Sequence, residues 1–236
     1  MFTDALLWSL AAGACTVVGV VMLFAKRDWG DAGLAFFLGL ASGVMGAVVL
    51  FDLLPSALVA GGFGITVVGS GCGMVLLALF NHLVLKRDDE DSSLAALGYL
   101  IMLGIAVHDL PEGMAIALGQ EMKARTGMVI AMGIGIHNIP EGMAIAAPLL
   151  MAGISRIRIL LQAVMVGLIT PLGTVLGKVA AHYSPGCLPF LLSLASGVMV
   201  YLVLCQLWPE ARRHSSPWRY AGLWLGVALI AAATYI

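Results

Sequence analysis

Eight stretches of about 20 predominantly apolar residues follow one another along the chain, at roughly 5–25, 33–54, 63–85, 94–118, 127–150, 159–180, 187–208 and 217–236. Each is long enough to cross a ~30 Å hydrocarbon core as a helix. They do not alternate, and they are too long for the strands of a membrane barrel. The links are short, so residues 1–236 read as one all-α polytopic domain with no separate soluble part. Composition excludes the other classes. Of the 236 residues 61% are hydrophobic and only 11% charged, against roughly 25% charged in a soluble domain. That is too little charge to solvate an enzyme's exterior and far too apolar for a disordered chain. The 12 Lys+Arg against 13 Asp+Glu leave no positive surplus to bind nucleic acid. The partner of the exterior is therefore the lipid bilayer.

Lys and Arg fix an expected orientation. Lys26, Arg27, Lys86, Arg87, Arg156, Arg158, Arg212, Arg213 and Arg219 fall on one side of an eight-span arrangement, and Lys123, Arg125 and Lys178 on the other. Cytoplasmic links are the richer in Lys and Arg, so both termini are expected outside. The charged link Lys86–Asp91 is then a solvated cytoplasmic loop. Met1-Phe2-Thr3-Asp4 lacks a basic n-region, so the first stretch is expected to remain as a span. Cys15, Cys72, Cys187 and Cys205 form no CxxC pair and read as small apolar helix residues.

Two internal repeats stand out. His108-Asp109-Leu110-Pro111-Glu112-Gly113-Met114-Ala115-Ile116-Ala117 returns as His137-Asn138-Ile139-Pro140-Glu141-Gly142-Met143-Ala144-Ile145-Ala146, 29 positions later and identical at eight of ten positions. Ala41-Ser42-Gly43-Val44-Met45 in span 2 returns as Ala195-Ser196-Gly197-Val198-Met199 in span 7, and each copy is followed by a proline, Pro55 or Pro209. Spans 4 and 5 run in opposite directions, as do 2 and 7. The repeat is thus expected to be inverted, with spans 1–3 related to 6–8 and span 4 to 5, a plan that transporters build around a midplane site.

The repeated motif carries the chemistry. His108 and Glu112 are four apart, as are His137 and Glu141, so each helix presents an imidazole and a carboxylate on one face. Two antiparallel helices packed on those faces converge two His and two Glu, a set suited to Zn²⁺, Fe²⁺, Mn²⁺ or a similar divalent ion. The two glutamates neutralise one such ion. Pro111 and Pro140 have no N–H for the Val107 and Ile136 carbonyls and loosen the helices beside these residues. Neither the HExxH of zincins nor the ExxH of ferritin-like di-iron proteins occurs.

The doubled H-[ND]-x-P-E-G motif resembles that of the Zrt/Irt-like (ZIP) divalent-metal transporters, most closely the bacterial zinc-uptake branch. The similarity extends to Ala146-Ala147-Pro148 and to Gly167-Leu168-Ile169-Thr170-Pro171-Leu172-Gly173. The resemblance implies a multi-pass protein of the bacterial inner membrane that takes up zinc, with Fe, Mn, Co and Cd as further candidates and no prosthetic group. It places primary ligands at His108, Glu112, His137 and Glu141, and a second adjacent site at Asp109 and Asn138 with the glutamates bridging. The family often has Glu where this chain has Thr170. Two divalent ions would then face three carboxylates, Asp109, Glu112 and Glu141, so the charge balance favours one tightly held ion.

Further pathway candidates are Asp52 near the outer end of span 2, Glu210 at the inner end of span 7, Gln206 one turn before it, and Ser42, Ser196 and His82. The inverted repeat roughly pairs the ends that carry Asp52 and Glu210. His182 and His214 lie in links and are expected to be solvated. Gly39 and Gly43 offer a small-residue face for packing within the chain or in a homodimer. The runner-up function is a membrane-embedded metallohydrolase that uses the same His and Glu to activate water; the chain shows no oxyanion donors, and the inverted repeat has no role in it.

Overall fold

The computed structural model describes residues 2–26, 29–84, 90–183 and 187–235, and among them all regular structure is helical. The helices are α1 Phe2–Leu23, α2 Gly30–Val48, α3 Leu54–Val84, α4 Glu90–Met122, α5 Ala124–Met151, α6 Arg156–Gly167, α7 Ile169–Tyr183, α8 Leu188–Tyr201, α9 Trp208–Arg213 and α10 Trp218–Tyr235. Two π-helical turns, Val49–Leu53 and Leu202–Leu207, join α2 to α3 and α8 to α9. Their place follows from Pro55 and Pro209. Each lacks an N–H, and its ring presses on the carbonyl four residues back; a widened turn just before the proline relieves that crowding. The side chains of the Lys86–Asp91 link and of His182 lie outside the described residues.

Among the described residues, six helical stretches are long and apolar enough to cross a membrane. One of them, Gly30–His82, has 53 residues, roughly 80 Å as a straight helix, over twice the bilayer core. It folds back at Gly62, whose φ of 73° and ψ of 172° break the helix in a region that glycine enters without cost. The sequence leaves 55–62 between its second and third spans; the helix runs on through Pro55 and breaks at Gly62, at the end of that interval. The expected span 159–180 is also interrupted, at Leu168 between α6 and α7, because Pro171 has no N–H for the Gly167 carbonyl.

The most extensive packings join α1 and α4 to α5, α7 to α4, α10 to α2 and α3 to α8; α2 also packs on α5 and α8 on α4. Glycines make the contacts close. Gly13 and Gly167 lie against each other's carbonyls, Gly19 against the Ile139 carbonyl and Gly173 against that of Leu110. Gly69 and Gly73 meet the Phe190 and Leu194 carbonyls as Gly222 and Gly226 meet those of Phe36 and Leu40. Small residues let helix backbones approach where lipid provides no hydrophobic drive. Gly39 and Gly43 receive the Arg219 and Leu223 carbonyls of α10, so this face is used within the chain.

The bundle has two unlike ends, one at the α4–α5 link (Lys123) and one at Arg213. Leu34 and Leu38 of α2, Leu100, Ile101 and Ile105 of α4, and Ile145 and Leu149 of α5 are fully buried together toward the Arg213 end. Toward the Lys123 end lies a cavity of about 340 Å³, walled by α2, α4, α5, α8, α10 and the Val49–Leu53 turn.

Candidate metal centre

Glu112 and His137 of the doubled motif line that cavity, and His108, Asp109, Asn138 and Glu141 are buried beside them. α4 carries His108, Asp109 and Glu112, and α5 carries His137, Asn138 and Glu141. The pairs are crossed: His108 Nε2 lies 3.3 Å from Glu141 Oε2, and His137 Nε2 lies 3.1 Å from Glu112 Oε2. Each imidazole thus meets the carboxylate of the other helix. Asp109 Oδ1 is 3.6 Å from His108 Nε2. His108, Asp109 and Glu112 each offer an atom within 4.8 Å of the others'. None of the six motif residues is more than 4% exposed.

The electrostatics are one-sided. Three buried carboxylates meet two imidazoles, and among the described residues the ion pairs of those carboxylates run to His108 and His137, with no Lys or Arg among them. Both Asp109 oxygens, Glu112 Oε1, Glu141 Oε1 and Asn138 Oδ1 are buried without a hydrogen-bond partner. Burying ionised carboxylates at membrane depth is costly unless a cation compensates them. His108 Nδ1–H donates to the Gly104 carbonyl at 3.0 Å, which leaves Nε2 facing the carboxylates. A backbone partner that fixes the tautomer in this way is usual behind a metal-binding imidazole. With Nε2 deprotonated, the ring and Glu141 direct lone pairs at one volume, where a proton or a metal cation fits.

Backbone contacts hold the two helices in place. Gly113 lies against the Thr170 carbonyl of α7, and Gly142 against the Thr16 carbonyl of α1; a methyl group at either would collide with backbone. Thr174 Oγ1 donates to the Gly113 carbonyl at 3.0 Å, and Asn138 Nδ2 to the Ala12 carbonyl at 3.0 Å. The sequence reading missed Thr16 and Thr174. Thr16 was findable, since it precedes Thr170 by 154 positions, the spacing that also separates Ala41 from Ala195. Thr16 and Thr170 are both fully buried, and neither hydroxyl has a partner.

The remaining candidates separate. Asp52, with Ser56 donating to its Oδ1 at 3.4 Å, lines the same cavity as Glu112 and His137. Gln206 is buried in the second π turn. Ser42 and Ser196 donate to the carbonyls four residues back, Leu38 and Leu192, at 2.7 and 2.9 Å. His82 is exposed near the end of α3. Glu210 pairs with Arg213 at 3.0 Å. The expectation that His214 is solvated fails: its side chain is 16% exposed, with Nδ1 3.2 Å from Asp31 and Nε2 3.6 Å from Glu210. Two carboxylates at the α2 and α9 ends draw the imidazole in.

Comparison with known proteins agrees on one family. A family model described as ZIP zinc transporter matches residues 81–234. A zinc transporter ZupT of Chlorobium luteolum is 33% identical over 256 aligned positions, 98% of this chain and 96% of the relative. The ZupT of Shigella dysenteriae is 31% identical, covering 88% of this chain and 86% of its own. The ZupT of Chlorobium chlorochromatii is 28% identical over 90% of both.

Proposed function

The chain belongs to the ZIP zinc transporter family, and from that premise we propose that it carries zinc into the cytoplasm through a midplane site made by His108, Glu112, His137 and Glu141. The chain is a multi-pass membrane protein of a divalent-metal transporter family. One observation carries the finer reading. Two copies of one motif bury crossed His–Glu pairs with a third carboxylate, Asp109, and among the described residues no Lys or Arg pairs with them. A divalent cation supplies the missing charge, and imidazole with carboxylate is a set that zinc accepts.

The proposed topology has eight spans, with α6 and α7 together making the sixth and α10 the eighth, and both termini outside. The Lys123 end is then external and the cavity an outward vestibule. Asp52 stands in its wall, and Glu112 with His137 at its floor. Asp109 and Asn138 serve as a second, transient stop. The inverted repeat is supported by the paired glycine contacts, in which Gly19 and Gly173, 154 positions apart, meet Ile139 and Leu110, which are 29 apart. A membrane potential negative inside drives a doubly charged ion inward by about 4.6 kcal/mol per 100 mV, at ~2.3 per charge. Hydrolysis gains no support, because the family model and the relatives are described as transporters.

The test is zinc influx into dye-loaded proteoliposomes, comparing the wild type with His108→Ala and Glu141→Ala at equal incorporation. The expected result is flux in the wild type and none above background in either variant. Undiminished flux in both variants would remove the path from α4 and α5.

A further inference from the structure

The two ends of the bundle are built from matching parts in different states. The spacing of 154 that relates Ala41 to Ala195 also relates Val48 to Leu202, Asp52 to Gln206 and Pro55 to Pro209. Asp52 and Gln206 both lie in the π turns. This register replaces the rough pairing of Asp52 with Glu210. On the motif helices, the spacing of 29 that relates His108 to His137 also relates Gly104 to Gly133.

At the Arg213 end, Leu202 is fully buried and its side chain fills the space where a Cβ on Gly104 would stand. At the Lys123 end, the counterparts Val48 and Gly133 both line the cavity, and nothing lies within 4 Å of the Cβ position of Gly133. One contact is therefore closed at one end and open at the other. Asp52 stands in the open half with Glu112 and His137. Gln206 stands in the closed half, 5% exposed.

We propose that Asp52 and Gln206 are equivalent mouth residues on the two sides of the metal path, and that the carboxylate at one and the carboxamide at the other make the outer mouth the tighter cation site. The inference rests on the transport reading above. When Val48 closes on Gly133 and Leu202 leaves Gly104, Gln206 lines the inner mouth. A carboxylate in a low-dielectric cleft raises the local cation concentration ~10-fold or more. A carboxamide offers a carbonyl oxygen but no net charge. The carrier then fills at low external metal and empties into a mouth that does not retain the ion. The gradient still sets the direction of net flux. For a passive carrier Vmax/KM must be equal from the two faces at zero potential, so the difference is read in KM.

The experiment measures the zinc dependence of flux from each face in proteoliposomes of fixed orientation. Wild-type KM should be about 10-fold lower from the outer face, the lower end of what a charged cleft provides. Asp52→Gln should raise the outer KM to the inner value. Gln206→Glu should lower the inner KM by about the same factor and leave the outer KM within about twofold. Equal wild-type KM values at the two faces, or an unchanged ratio in Asp52→Gln, would overturn the inference while leaving transport intact. Because Gln206 is buried, Asp52→Gln, at an exposed wall position, decides the matter if Gln206→Glu does not fold. Absence of zinc flux in the wild type would instead remove the transport reading, and this inference with it.

Discussion

α4 and α5 carry the same ten-residue motif with two differences, and the structure treats the common part and the differing part in opposite ways. The shared His, Glu and Gly make matching contacts: each His meets the other helix's Glu, and each Gly lies on a threonine carbonyl. The unlike pair diverges. Asn138 donates to the Ala12 carbonyl, whereas Asp109 has no hydrogen-bond partner on either oxygen. Their surroundings diverge too, since Gly104 is packed and Gly133 lines a cavity. The identical residues thus build the buried His–Glu cluster proposed above as the ion site, and Asp109 and Asn138 tell its two sides apart.

The largest effects should come from breaking the shared part. Glu112→Ala and Glu141→Ala each remove a buried carboxylate that faces an imidazole. Loss of a partner behind a metal ligand costs ~10–100-fold in affinity, so loss of a ligand itself should exceed about 100-fold. Zinc titration calorimetry on purified protein checks this. Similar losses in the two variants support equivalent copies, and a loss confined to one would mean that the site sits on a single helix. Gly142→Leu and Gly113→Leu come next. Each drives a side chain into the Thr16 or Thr170 carbonyl, and overpacking of ~1–3 kcal/mol is the expected cost, at the upper end because backbone must move. Thermal unfolding in detergent should show both variants destabilised. A Gly142→Leu protein as stable as the wild type would mean that α1 and α5 are not pressed together.

Exchanging the unlike pair should do less and is more informative. Asn138→Asp adds a fourth carboxylate to Asp109, Glu112 and Glu141, enough to balance two divalent ions. It removes the bond to Ala12, at about 1 kcal/mol. Bound zinc, counted by elemental analysis after equilibrium dialysis, should rise from one to two per chain. Asp109→Asn makes α4 resemble α5 and should keep one ion, bound about 10-fold more weakly. A count still at one in Asn138→Asp would show that Thr170, and not the charge balance, limits the site.

Much of this was legible in the sequence because the constraints are local or periodic. A four-residue His–Glu spacing on a helix determines a shared face, and a motif repeated in antiparallel neighbours determines convergence. The crossing of the pairs was not legible, since it depends on the axial offset of α4 against α5, which the glycine contacts with α1 and α7 set. How the chain reaches its break at Gly62 was not legible for a related reason. Pro55 looks like the end of a span, but the π turn before it absorbs the missing donor and the chain turns only at Gly62. His214 was misread because Asp31, 183 positions away, approaches it only through the packing of α2 near α9.

The smallest expected effect tests whether equivalence alone implies function. Ser42 and Ser196 match at the same spacing as Asp52 and Gln206, lie within the repeated ASGVM segment, and are buried polar groups in membrane helices. By repeat logic alone they belong to the path. Their bonding says otherwise. Each hydroxyl donates to the carbonyl one turn back, which the helix ladder also uses, so the proton is spent locally. Removing such a hydroxyl leaves no buried donor or acceptor unmet, because the carbonyl keeps its backbone N–H. Ser42→Ala and Ser196→Ala should therefore change stability by less than about 1 kcal/mol, with zinc flux within about twofold of wild type. A fall in flux beyond tenfold with unchanged stability would put these hydroxyls in the ion's path, and the line drawn between residues that hold the helices and residues that hold the ion would have to move.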